Sequence, residues 1–147
     1  MSQIHGQSPN KDSVEIKVDA GGRLLTSVTN DTTTGTALSL VTAATTNAAS
    51  VKTSAGRVYE LTVSNPTATA AYVKLYDKAS APVVGTDVPI VTIPVPASAA
   101  GVGTVAFDFG TIGKSFSTGI ALAVTAAAIA TDATASVAGI QVHGTYI

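Results

Sequence analysis

The sequence predicts an all-β protein: an antiparallel β-sandwich, of jelly-roll type by its strand count, preceded by an extended N-terminal arm and β-hairpin. Three observations lead there. Ala, Thr and Val supply 65 of the 147 residues, and β-branched side chains suit a pleated, half-buried surface while alanine fills close approaches between sheets. Apolar and polar residues alternate with a period of two in short runs. Between those runs stand Gly, Pro and Asn at the spacing of an all-β domain, and no stretch carries a convincing helical period.

Residues 1–13 are polar, hold Gly6 and Pro9, and read as a flexible arm. VEIKV (14–18) and RLLTSV (23–28) flank Asp19-Ala20-Gly21-Gly22, which reads as a β-hairpin. TNDTTTGT (29–36) is a linker by composition, so the chain divides into an anchoring segment, 1–35, and a sandwich body, 36–147. In the body, ALSLVTAA (37–44) alternates weakly, and ASVKTSA (49–55) leads through Gly56 into RVYELTVS (57–64). There the spacing places Tyr59, Leu61 and Val63 on one face and Val58, Glu60 and Thr62 on the other, and Asn65-Pro66 ends the run. AYVKLYD (71–77) sets Val73 and Leu75 against Tyr72, Lys74 and Tyr76. PIVTIPV (89–95) aligns Val91, Ile93 and Val95, and its prolines mark an edge strand. TVAFDFG (104–110), KSFSTGIALAVT (114–125) and SVAGIQVHGTY (136–146) complete about eight strands. Alanine propensity offers a helix over 121–135 as a rival. The threonines there and the absence of charge pairs favour strand followed by loop.

Composition narrows the function. Net charge is −1 with eight dispersed Lys and Arg, which gives no basic stripe for nucleic acid and no case for a membrane surface. The twelve-residue run GIALAVTAAAIA (119–130) is too short for a membrane-spanning helix, and the N-terminus lacks the pattern of a signal peptide. There is no cysteine, hence no disulfide framework, thiol nucleophile or Cys-ligated metal. Two histidines, His5 in the arm and His143 near the last strand's end, are too few for a catalytic zinc site. His143 has no local acid to build a triad. Asp77 and Asp87 could meet across the 77–89 connection, with Asp108 joining them, as a glycosidase pair or a Ca²⁺ site. However, the chain has no Trp to stack a sugar and no DxDxDG spacing. Gly101 and Gly103 precede no helix, so they form no phosphate loop. The reading is of a protein that is not an enzyme, with no catalytic, cofactor-binding or metal residues and no cofactor.

Charged residues make up 12% of the chain, about half the share usual in soluble domains. Residues 115–147 contain a single one, Asp132, while 11–31 contain seven. Such a segment is either the central layer of the sandwich or a subunit interface, and the second reading points to a homo-oligomer, a trimer.

SVKTSAGRVYELTVSN, then AYVKLYDKASAPVVGTDVPIVTIPVPA, then FDFG followed by FSTGIALAVT, resemble a family of small bacteriophage virion proteins. VEIKVDAGGRLLTSV also looks like the N-terminal segments attached to such proteins. The resemblance runs over about residues 50–125. It implies a β-sandwich built into the virion, as a capsid decoration (cement) protein or in a fibre or tail, and it transfers no catalytic residue. The function expected is therefore a decoration protein on the outer capsid surface, assembled in the host cytoplasm and bound to the major capsid protein, with no nucleic-acid or membrane partner. The alternative is a tail or head-fibre module binding a receptor or glycan through loop 77–89 and Tyr72, Tyr76 and Tyr146.

Overall fold

The computed structural model describes residues 35–98 and 103–147 and, nearer the N-terminus, two strands. The chain forms two compact units, Met1–Thr33 and Thr34–Ile147. In the first, β1 (Ile4–Gln7) pairs antiparallel with β2 (Ser13–Ile16), with Ile4 opposite Ile16 and His5 opposite Glu15. The strand begun by VEIKV thus pairs with IHGQ, inside the stretch read as a flexible arm, and the expected turn at 19–22 lies outside the described residues. RLLTSV (23–28) lies outside the described residues.

The second unit is all-β, and every strand pairing in it is antiparallel. Its strands are β3 (Thr36–Val41), β4 (Ala49–Lys52), β5 (Gly56–Asn65), β6 (Ala71–Asp77), β7 (Val91–Val95), β8 (Gly103–Asp108), β9 (Lys114–Phe116), β10 (Ile120–Thr125) and β11 (Gln141–Tyr146). One sheet has the order β4-β10-β6-β7, the other β3-β11-β5-β8, with β9 also pairing β5. Leu61, Val63 and Val142 of the second sheet pack in one cluster with Val73, Leu75, Ile93, Leu122 and Val124 of the first. The two sheets thus share a core, as in a β-sandwich. Among the described residues no helix is long and apolar enough to cross a membrane.

Three local features shape this frame. Simple alternation fails in β5, where Val58 is buried with Leu61 and Val63 while Tyr59 is only half-buried. The β5–β11 register shifts between Thr145 and Tyr146, which face Glu60 and Val58, so an extra residue resets the phase at Tyr59. The same point interrupts the other neighbour: β8 ends opposite Glu60, Phe109 N–H donates to Tyr59 O, and β9 resumes opposite Val58.

The run KSFSTGIALAVT is two strands rather than one, because the chain leaves one sheet at Phe116 and enters the other at Ile120. Asp77 holds that crossing. Its carboxylate accepts from Ser117 N–H (3.0 Å) and Oγ–H (2.5 Å), Thr118 N–H (2.7 Å) and Gly119 N–H (3.3 Å). A side chain at Gly119 would meet Ala79 Cα at 2.6 Å and the carbonyls of Lys52 and Lys78 at 2.8 Å, so only glycine fits. At the β5–β6 turn the buried Asn65 amide donates to Thr69 O and Pro96 O and accepts from Thr67 N–H and Oγ–H, satisfying every polar atom it carries.

The charge-poor stretch 115–147 contains the central strands β10 and β11. All six residues of β10 are buried, on both faces of its sheet. The core covers one face, and two loops of the same chain cover the other.

Candidate functional site

The best-built polar feature of the body lies under those loops. On the outer face of β6, Lys74 and Tyr76 stand opposite Ala123 and Ala121 of β10, whose methyl groups leave room for two large side chains. Both are essentially inaccessible, and Tyr76 packs with Ala121, Ala123 and Val84 in a small second core. The Lys74 ammonium donates to Ile129 O (2.7 Å) and Asp132 O (3.2 Å) of the loop after β10. Burial lowers its pKa, and the nearby Asp132 charge partly opposes that shift. Among the described residues Tyr76 Oη has no hydrogen-bond partner; burial, then the Asp87 charge, pushes its pKa up.

Each covering loop is braced by an aspartate. Asp132 accepts from Ala127 N–H (2.9 Å) and Thr134 N–H (3.1 Å), and Thr134 is the main cause of its lowered pKa, against an opposing effect of burial. Asp87 forms an ion pair with Lys78 and accepts from Val83 N–H (2.6 Å); Lys78 is the first cause of its lowered pKa. The loops touch at Gly85, where φ is 88° and a Cβ would stand 3.1 Å from Thr131 O. Pro82 is buried beneath this cover while Val83, Val88 and Ile129 are 58%, 75% and 66% exposed, so large apolar side chains stand on the outer surface of the cover beside exposed threonines.

The acids singled out in the sequence are thus each committed to local structure. Asp77 is held far below the usual carboxylate range, first by the Ser117 hydroxyl and then by backbone N–H groups. Asp108 accepts from Gly110 N–H (2.7 Å) in a turn. Among the described residues no three His, Cys, Asp or Glu side chains group as metal ligands. His143 is exposed on β11 between Ser39 and Thr62. Gly103 opens β8, and Gly101 lies outside the described residues. Of the three tyrosines considered for recognition, Tyr76 is buried, and Tyr72 and Tyr146 are half-buried. Tyr146 Oη donates to Val51 O at 3.4 Å. A tyrosine platform is therefore not assembled.

The buried lysine is what sequence reasoning missed. Its signal was the alternation of alanine along β10 together with the lack of charge around it, a face small enough to accept a long side chain from the next strand. A groove of about 210 Å³ also opens between β3 and β4, lined by Leu38, Leu40, Val51, Leu122 and Tyr146 among others. No protein-family model, curated protein or solved structure matches the chain.

Proposed function

We propose that the protein is a non-enzymatic bacteriophage capsid decoration protein whose body is a jelly roll. The observation that carries this reading is the pairing order of the body. With β8 and β9 counted as one interrupted strand, the first strand pairs with the eighth (β3·β11), the second with the seventh (β4·β10), the third with the sixth (β5·β8), and the fourth with the fifth (β6·β7). Those are the rungs of one long folded-back ribbon. Rolling that ribbon sends alternate rungs to opposite sheets and brings β11 beside β5 and β10 beside β6. This pairing order supports the jelly-roll reading, an architecture found in viral capsid and lectin domains.

The commitment of Asp77, Asp87, Asp108 and Asp132 to bracing turns and loops fits a structural role better than a catalytic one. In this reading the body sits on the outer capsid surface, and the arm, roughly residues 1–35, orders on the major capsid protein and clamps neighbouring subunits. Burial of β10 within the chain accounts for six residues of the charge-poor segment, and the exposed, uncharged residues of 126–147 leave a self-associating surface as the reading for the rest. The fibre or receptor-binding reading loses the tyrosine surface that motivated it.

Adding purified protein back to undecorated capsids tests the proposal. The full chain is expected to cosediment to saturation, and a variant lacking residues 1–30 to stay folded yet unbound. Saturation by the truncated chain would remove the role given to the arm.

A further inference from the structure

Among the described residues four strands border the sheets of the body: β4 and β7 in one, β3 and β8 in the other. Three carry devices that discourage a further strand, namely Lys52 in β4, Pro94 in β7 and Asp108 in β8. β3, TALSLV, has neither charge nor proline, and among the described residues it pairs with β11 alone.

The free backbone groups of β3 can be assigned. Thr42 N–H donates to Ile140 O at 2.8 Å, one step beyond the Val41–Gln141 pair. Bonded residues alternate along an antiparallel ladder, so Thr36, Leu38 and Leu40 bond to β11. Ala37, Ser39 and Val41 then turn their N–H and C=O groups outward. The far side of β11 agrees: Ile147 exchanges both backbone bonds with Arg57, which commits the odd-numbered residues of β11 to β5 and leaves the even-numbered ones for β3.

We propose that this edge pairs with the same edge of a second copy, antiparallel about a two-fold axis at Ser39. That register sets Ser39 against Ser39, Ala37 against Val41 and Val41 against Ala37, so each outward N–H dipole meets a C=O. Shifting it by two residues in either direction leaves some of these groups unpaired. No formal charge opposes the contact. Val41, 61% exposed, gains an alanine neighbour. Leu38 and Leu40, half-buried at the 210 Å³ groove, stand opposite Leu40 and Leu38 of the second copy. The contact is isologous and closes at two copies, making one sheet continuous across the dimer. The species in solution is then a dimer in place of the trimer that composition pointed to.

Sedimentation of the full chain over a range of concentrations should show a monomer–dimer equilibrium. Ser39→Pro removes an N–H that faces away from β11, so the intrachain ladder survives while dimerisation weakens by about tenfold or more. Ser39→Lys sets like charges directly across the axis and should weaken it too, with partial recovery in salt. The chain has no cysteine, so single thiols report the register without disturbing the fold. Ser39→Cys is expected to oxidise to a covalent dimer. Ala37→Cys should do so only when mixed with Val41→Cys, its partner across the axis. A monomer at all concentrations, an oligomer indifferent to both Ser39 variants, or self-linking of Ala37→Cys in preference to Ser39→Cys would each overturn the proposal. Capsid decoration does not depend on this edge, so that reading would stand.

Discussion

Lys74 is the side chain whose surroundings differ most from what its chemistry prefers. A buried ammonium has surrendered water for two loop carbonyls, Ile129 O and Asp132 O, and its pKa is lowered by that exchange. Its four-carbon stem also fills space over Ala123. These two contributions separate by substitution. Lys74→Met keeps the stem and drops the charge, and replacing a buried charge by an apolar side chain of similar shape is often neutral or stabilising. It is expected to unfold in denaturant within about 1 kcal/mol of wild type, or above it. Lys74→Ala leaves a void and should lose about 2–4 kcal/mol. If both variants lost the same amount, the ammonium rather than the stem would be the stabilising part. Tyr76 is the companion case, a phenol whose hydroxyl is buried with no partner among the described residues and whose ring fills the same layer.

At the scale of elements, the turn between β9 and β10 is held by one carboxylate with four donors. The Asp77 pKa is depressed in the folded chain, against an unfolded value of about 3.9. Its contribution is therefore complete above that unfolded value and is lost as pH falls through the lower folded value. Denaturant midpoints should fall on acidification below about pH 4, and Asp77→Asn should flatten that fall. An unchanged acid profile would show that the turn does not depend on the charge. Much of this level was legible in the sequence. The alternation in AYVKLYD placed Val73 and Leu75 in the core, and prolines marked β7 as an edge. Asn65-Pro66 ended β5 as read, although nothing local announced that the Asn65 amide reaches Pro96 O. Other features depend on contacts distant in sequence. The phase slip at Tyr59 is set by β11. The cover over β6 and β10 comes from loops 78–90 and 126–139, whose composition reads as solvent-exposed connection. Their packing on each other at Gly85 and on Lys74 has no periodic signature.

For the whole molecule, the rolled ribbon explains several features at once. It puts β10 and β11, both free of Asp, Glu, Lys and Arg, at inner positions of the two sheets and leaves β3, β4, β7 and β8 at the borders. It also requires repeated crossings between sheets, and those crossings are where Asp77, Asn65 and Gly119 are placed. Polar side chains that brace the chain's own turns are in keeping with the structural role proposed above. The proposed role stands or falls on where the protein sits. Cryo-microscopy of the purified particle is the most direct measurement. The capsid reading predicts density for a two-sheet body repeated over the outer shell with the capsid lattice, and N-terminal residues running along the major capsid protein. Density confined to a tail, a fibre or a single vertex, or a particle surface without this body, would contradict it.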